Sequence, residues 1–182
     1  MEKAASMRLN AINDVLWNST CQCWYDYSIS NNKQLPKISS SNYIPLWVLP
    51  YNETLGTNVL NSLKESGLIQ VGGVATTLTD DRQQWDYPNA WPPIQYILAQ
   101  TGNKYKTINV GNWTQFNISQ TYINAAYIGF NQTGFMFEKY MANETGQTGH
   151  GGEYIPQKGF AWSNSVVFSF LNEYGDVLTA PF

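Results

Sequence analysis

An all-α fold of the barrel or solenoid kind, rather than a bundle, is predicted by three features of the sequence. Five stretches carry helical periodicity, they recur at intervals of roughly 30 residues, and the segments between them are long, aromatic and glycine-rich. Five helices make only part of a closed ring, and an open barrel exposes apolar faces meant for neighbours. With 182 residues, 43% of them apolar, the chain can bury one sizeable core, so a single domain is expected.

The first helix is expected over Glu2–Trp17, where Leu9, Ile12, Val15 and Leu16 share a stripe. Trp24-Tyr25-Asp26-Tyr27-Ser28-Ile29 alternates as a short strand would, leaving room for a β-hairpin among the loops. Ser39-Ser40-Ser41-Asn42, with Pro45 and Pro50 behind it, reads as loop. The second helix runs from Thr54, a plausible N-cap, through Leu55, Val59, Leu60 and Leu63 to Gly67. The third starts at Asn89 or Ala90, because prolines are tolerated in a first turn, and carries Ile94, Ile97 and Leu98 to Gly102. The fourth is the clearest, with Ile118, Tyr122, Ile123, Ala126, Tyr127 and Phe130 on one face. The fifth follows Phe160, carries Val166, Val167, Phe170, Leu171 and Tyr174, and ends before Gly175.

Composition narrows the function. A net charge of -3 offers no attraction to nucleic acid or to an anionic membrane, and no stretch approaches the length of a membrane helix. Charged residues are sparse at 13% and aromatics abundant at 15%, which fits sugar-stacking grooves and equally a large aromatic core. The opening Met1-Glu2-Lys3-Ala4-Ala5-Ser6 leads into a polar helical pattern rather than a signal peptide. Six N-x-S/T sequons, at Asn18, Asn52, Asn112, Asn117, Asn131 and Asn143, nevertheless exceed the roughly three expected by chance and point to a secreted parent protein. Cys21 and Cys23 are two apart, so in an extended segment they share a face and are not expected to bond to each other. No matching His/Cys cluster follows to make a metal site.

Two places carry the residues of a candidate site. Gln84-Trp85-Asp86-Tyr87-Pro88-Asn89-Ala90-Trp91-Pro92-Pro93 is rigid and presents flat rings with polar handles, as a sugar subsite requires. It reads equally as a structural corner, with Trp85 and Trp91 as core anchors and Asp86 as a helix cap. The second is Phe135-Met136-Phe137-Glu138-Lys139-Tyr140, followed by Gly149-His150-Gly151-Gly152-Glu153-Tyr154. Two carboxylates near an aromatic platform are the apparatus of glycoside hydrolysis, while a solvated helix end at Glu138 and a loop carboxylate at Glu153 are the bland alternative. The glycine run lacks the G-K-[ST] of a phosphate loop, and His150, the single histidine, has no obvious nucleophile or co-ligand.

The ten residues Gln84–Pro93 match every fixed position of the second trehalase signature, Q-W-D-x-P-x-[GAV]-W-[PAS]-P. Glu138-Lys139-Tyr140, the glycine run into Glu153-Tyr154, Gln157, Gly159-Phe160 and Trp162 resemble the family's C-terminal motifs in order. Leu16-Trp17-Asn18 with Trp24-Tyr25-Asp26-Tyr27 is similar to its L-W-N…W-F-D-Y segment. The resemblance implies that residues 1–182 are the C-terminal part of one trehalase catalytic domain, and hence part of an (α/α)6 toroid. It implies hydrolysis of α,α-trehalose to two glucoses with inversion, with trehalose as the partner and without metal or cofactor. Glu138 aligns with the general base and Glu153 with a substrate-contacting carboxylate. Trp85, Asp86, Trp91, Phe160 and Trp162 fall where the family binds sugar.

The chain departs from the family pattern as well. It lacks the E-S-G-W-D motif of the general acid, the P-G-G-R-F-x-E-x-Y-x-W-D-x-Y signature and the sugar-gripping arginines. The expectation is therefore a fragment of the enzyme, or else an inactive truncated paralogue that only binds sugar. Two family glycines are replaced in Phe160-Ala161-Trp162-Ser163-Asn164-Ser165, and His150 interrupts a run that is usually all glycine. A Cβ at a position of positive φ would distort that loop.

Overall fold

A computed structural model describes residues 2–180 of the chain, with side chains from residue 3 onward. About half of the chain is helical, its strands are few and short, and no closed barrel is formed by the described residues. The N-terminal helix α1 (Glu2–Leu16) is followed by two small hairpins, β1 (Trp17–Asn18) with β2 (Cys23–Trp24), and β3 (Asp26–Ser28) with β4 (Lys33–Leu35). Asn13 of α1 accepts from the Trp24 indole at 3.2 Å and from the Tyr51 hydroxyl at 2.7 Å, which anchors the helix to the hairpin through its polar face.

The β1–β2 turn corrects one expectation, because Cys21 and Cys23 form a disulfide. Gln22 between them takes the left-handed conformation (φ 54°) and Cys21 lies in the turn, so the segment is folded back rather than extended and the Cα atoms approach to 5.2 Å. Ser39–Asn42 departs from the loop reading too. A 3₁₀ turn (Ser40–Tyr43) runs into α2 (Ile44–Val48), whose first turn accommodates Pro45 because an N–H is not needed there.

Helix α3 (Glu53–Glu65) is capped by Asn52, whose side chain accepts from the Leu55 N–H at 2.9 Å, two residues earlier than the Thr54 cap expected. Its Val59, Leu60 and Leu63 are fully buried. Past Gly67 (φ 80°) comes the tight hairpin β5 (Ile69–Gln70) with β6 (Gly73–Val74). The buried Gln95 side chain holds that hairpin by accepting from the Val74 N–H and donating to its carbonyl. Helices α4 (Pro92–Lys104) and α5 (Asn109–Thr133) form the most extensive helix pair, with α3 against α5 and α6 (Ala161–Tyr174) against both. Ile118, Tyr122 and Ala126 of α5, as the periodicity predicts, face the core. Gly134 in the left-handed conformation ends α5.

Candidate functional site

The third helix begins at Pro92, not at Asn89. Asn89 and Ala90 form β7, which pairs with β8 (Tyr140–Met141) in the register Asn89↔Met141 and Ala90↔Tyr140. That ladder brings Gln84–Pro93 beside Phe135–Tyr140, two segments widely separated in sequence.

On the first segment, Trp91 is a buried anchor, as the corner reading has it, whereas Trp85 is not buried but displayed. Trp85 is 43% exposed and stacks on Trp91 at 4.0 Å between centroids and 19° between planes. Trp162 meets Trp91 edge-on at 5.5 Å, and Phe160 packs on Trp162 at 4.5 Å. One indole face is thus offered to solvent with three aromatic side chains behind it. The Asp86 carboxylate accepts from the backbone N–H groups of Asp81 (3.1 Å) and Gln83 (3.2 Å), so it caps the loop before it rather than a helix.

Glu138 is not a solvated helix end. It lies four residues past Gly134, at a bend just after the Phe137↔Lys158 bridge, and it is only 7% exposed. A buried carboxylate needs donors, and two are present: the Gln157 N–H reaches Oε2 at 2.8 Å, and the Tyr154 hydroxyl reaches Oε1 at 3.2 Å. The Glu138 backbone is fixed as well, since its N–H donates to the Gln157 carbonyl (3.0 Å) and its carbonyl accepts from the Trp162 indole (2.8 Å). Burial, and secondarily the Glu138 charge and hydrogen bond, push the Tyr154 phenol up to about 12. The hydroxyl therefore stays a donor to Glu138 throughout the neutral range.

In the glycine run, positive φ falls on Gly151 (87°) and Gly152 (79°) and not on His150, so the imidazole is carried without the distortion expected of it. Gly149 is required for a different reason: a Cβ there would lie 2.5 Å from Asn89 Oδ1 and 2.9 Å from Lys139 Cγ. The His150 N–H donates to the same Asn89 oxygen at 2.9 Å. Glu153 follows on this loop with its side chain exposed. A polar cavity of about 360 Å³, lined by Arg82, Tyr87, Asn89 and His150–Gly152, opens between this loop and the one before Trp85.

The fold gathers Glu138, Trp85, Trp91, Phe160 and Trp162 through direct contacts, sets Asp86 to hold the loop, and leaves Glu153 exposed next to Tyr154. Sequence reasoning missed Tyr154, Gln157 and Asn89 as partners of these groups. Tyr154 was visible only as the neighbour of a motif glutamate, and the other two act through a backbone N–H and a side-chain amide that no pattern marks. Among the described residues there is no cluster of His, Cys, Asp or Glu able to hold a metal ion, and no helix is long and apolar enough to cross a membrane.

Residues 1–175 match the family model described as Trehalase. The chain is 40% identical over 187 residues to the trehalase of Apis mellifera, covering 98% of this chain and 29% of that protein. To the trehalase of Homo sapiens it is 34% identical, covering 96% of this chain and 30% of that protein. It therefore spans about 30% of the length of the curated relatives it matches. Among solved structures, the neutral trehalase of Saccharomyces cerevisiae superposes with a TM-score of 0.76 at 19% identity, over 94% of this chain and 30% of that one. A mannosylglycerate hydrolase from Thermus thermophilus superposes with a TM-score of 0.61 at 14% identity, over 87% of this chain and 36% of that one. At those identities the two structures speak for the fold alone.

Proposed function

The chain belongs to the trehalase family, and on that premise we propose that Glu138 is the general base of an inverting hydrolysis of α,α-trehalose to two glucose molecules. The observation that carries the reading is the Glu138 carboxylate itself. It is buried against an aromatic platform with one oxygen held by a backbone N–H and the other by the Tyr154 hydroxyl. A base of this kind must be fixed within hydrogen-bond reach of the water it activates, and two donors from one segment fix it. Inversion then places that water between Glu138 and an acid roughly 6.5 to 9.5 Å away.

The acid comes from the part of the relatives that this chain does not span. No E-S-G-W-D motif occurs in it, and the Asp86 carboxylate is engaged by loop amides. Residues 1–182 are thus the C-terminal part of a single catalytic domain. In it Trp85 stacks on the sugar, Trp91, Phe160 and Trp162 support that ring, Asp86 shapes the loop at the sugar's edge, and Glu153 reaches the sugar hydroxyls. The protein belongs to the secretory pathway. Four of the six sequon asparagines, Asn52, Asn112, Asn131 and Asn143, are exposed, and the Cys21–Cys23 disulfide suits an oxidising compartment.

The test is glucose release from trehalose by the whole catalytic domain that contains these residues, beside its Glu138→Gln variant, with the anomers of the nascent products read by NMR. One α- and one β-glucose per trehalose, with turnover about 10² to 10⁴ lower in the variant, is the expected result. Equal turnover in both proteins would remove Glu138 from the reaction. A folded whole domain whose tryptophan fluorescence responds to trehalose, yet which releases no glucose, would leave only the inactive sugar binder.

A further inference from the structure

Lys139 is fully buried; burial lowers the pKa of its ammonium, the nearby Glu138 charge raises it, and no carboxylate is among its hydrogen-bond acceptors. Such a group is expensive to bury unless its donors are matched. Here three donors meet three backbone carbonyls: Gln84 at 3.4 Å, His150 at 3.1 Å and Gly151 at 3.2 Å. The same ammonium lies 5.2 Å from the centroid of the Trp91 ring and 5.3 Å from that of Tyr154. The Gln84 carbonyl also accepts from the Trp91 indole at 3.2 Å. The space beside the lysine stem exists because residue 149 is glycine, whose N–H donates to the Lys139 carbonyl at 2.9 Å.

We propose that Lys139 is a positioning residue, a buried ammonium clamp that locks the His150–Tyr154 loop and the Gln84–Trp91 segment against the segment carrying Glu138. Each end of the clamp leads to a group the site depends on. Fixing the His150 and Gly151 carbonyls fixes the approach of Tyr154, which donates to Glu138; fixing the Gln84 carbonyl fixes the Trp91 indole on which Trp85 stacks. This inference rests on the reading of Glu138 as the base only for its catalytic consequence. The clamp itself is independent of activity and is tested without it.

The experiment is amide hydrogen exchange of the purified protein and its Lys139→Met and Lys139→Arg variants. The N–H groups of Gly149, His150 and Gly152 are hydrogen-bonded to Lys139 O, Asn89 Oδ1 and Arg82 O, so each reports on loop closure. Methionine keeps the apolar stem and loses the donors. It is expected to raise exchange of these amides about tenfold or more while α4 and α5 keep their protection, and arginine is expected to restore most of the loss. Unchanged loop exchange in Lys139→Met, or a rise equal to that in α4 and α5, would overturn the clamp. Should Lys139→Met fail to fold, the wild-type protein decides the matter. In a native-state urea series, acetylation of Lys139 and exchange of the three amides must rise together. Labelling of Lys139 while the loop stays protected would overturn the proposal. Trehalose turnover of Glu138→Gln, read in parallel, tests the base alone, so either idea can fail without the other.

Discussion

At the scale of the residue, Glu138 and Tyr154 behave as one unit. The phenol is held up at about 12 first by burial and then by the neighbouring carboxylate, so its neutral form is favoured in the folded protein. A tyrosine raised above its ordinary value near 10 contributes stability that is complete below that value and lost as pH rises towards about 12. Glu138→Gln removes the charge and leaves the burial. The Tyr154 titration, followed by phenolate absorbance with Tyr154→Phe as the subtraction control, is expected to fall from about 12 part of the way towards 10. A midpoint unmoved by the substitution would show that the carboxylate has no hold on Tyr154. The glycine run makes a second residue-level contrast. Gly149→Ala pushes a methyl group against Asn89 Oδ1 and Lys139 Cγ and should cost about 1 to 3 kcal/mol in urea unfolding, whereas His150→Gly should stay within about 1 kcal/mol of wild type. Loss of equal size in both would refute the distinction drawn between space and backbone conformation.

At the scale of the element, the α4–α5 pair is set by two glycines that let backbone meet backbone. A Cβ on Gly102 would lie 2.5 Å from the Gln115 nitrogen, and one on Gly111 would lie 2.0 Å from the Tyr105 carbonyl oxygen. Alanine at 102 gains up to about 1 kcal/mol of helix propensity, but its methyl group faces backbone that cannot rotate away, and overpacking of that kind costs about 1 to 3 kcal/mol. The clash wins, so Gly102→Ala is expected to lower the urea midpoint. A midpoint at or above wild type would mean that the helices part without penalty. The short ladders act at this scale too. β7 and β8 contribute only two residues each, yet their pairing sets Asn89 and Ala90 beside the segment that follows Glu138.

At the scale of the whole molecule, helices α5 and α6 leave large apolar side chains exposed among the described residues. On α6, Phe168 is 71% exposed and Leu171 48%; on α5, Tyr127 and Phe130 are about half exposed. An apolar groove of about 290 Å³, which Phe168 does not line, lies between α5 and α6, lined by Ile123, Ala126, Met136, Val167, Leu171 and Leu178 among others. Contiguous apolar surface of this kind binds hydrophobic dyes and favours self-association. The chain is expected to enhance anilinonaphthalene sulfonate fluorescence, and Leu171→Glu to reduce that enhancement without lowering the unfolding midpoint. Dye fluorescence that ignores the substitution would place the apolar surface elsewhere.

Much of this molecule is written locally. The helices following Asn52, Trp91, Ile108 and Phe160 obey periodicity, and Gly134 stops its helix where the pattern stops, because these choices depend on neighbours within a few residues. Trp85, Trp91 and Glu138 stood out locally, since a dense run of expensive residues breaks a simple pattern. The residues alone left core-anchor and helix-end readings open, and only the resemblance to trehalases gave them roles. The Cys21–Cys23 bond was not legible, because it turns on the left-handed conformation of a glutamine. Nor was the start of α4, whose preceding residues are drawn into a strand by a partner far along the chain. The sequence by itself determined five of the six α-helices among the described residues and singled out Trp85, Trp91 and Glu138 as candidates. Only the tertiary structure decided that Tyr154 and Gln157 hold Glu138 and that Lys139 ties the loops together, since those contacts join segments whose approach is set by packing rather than by local propensity.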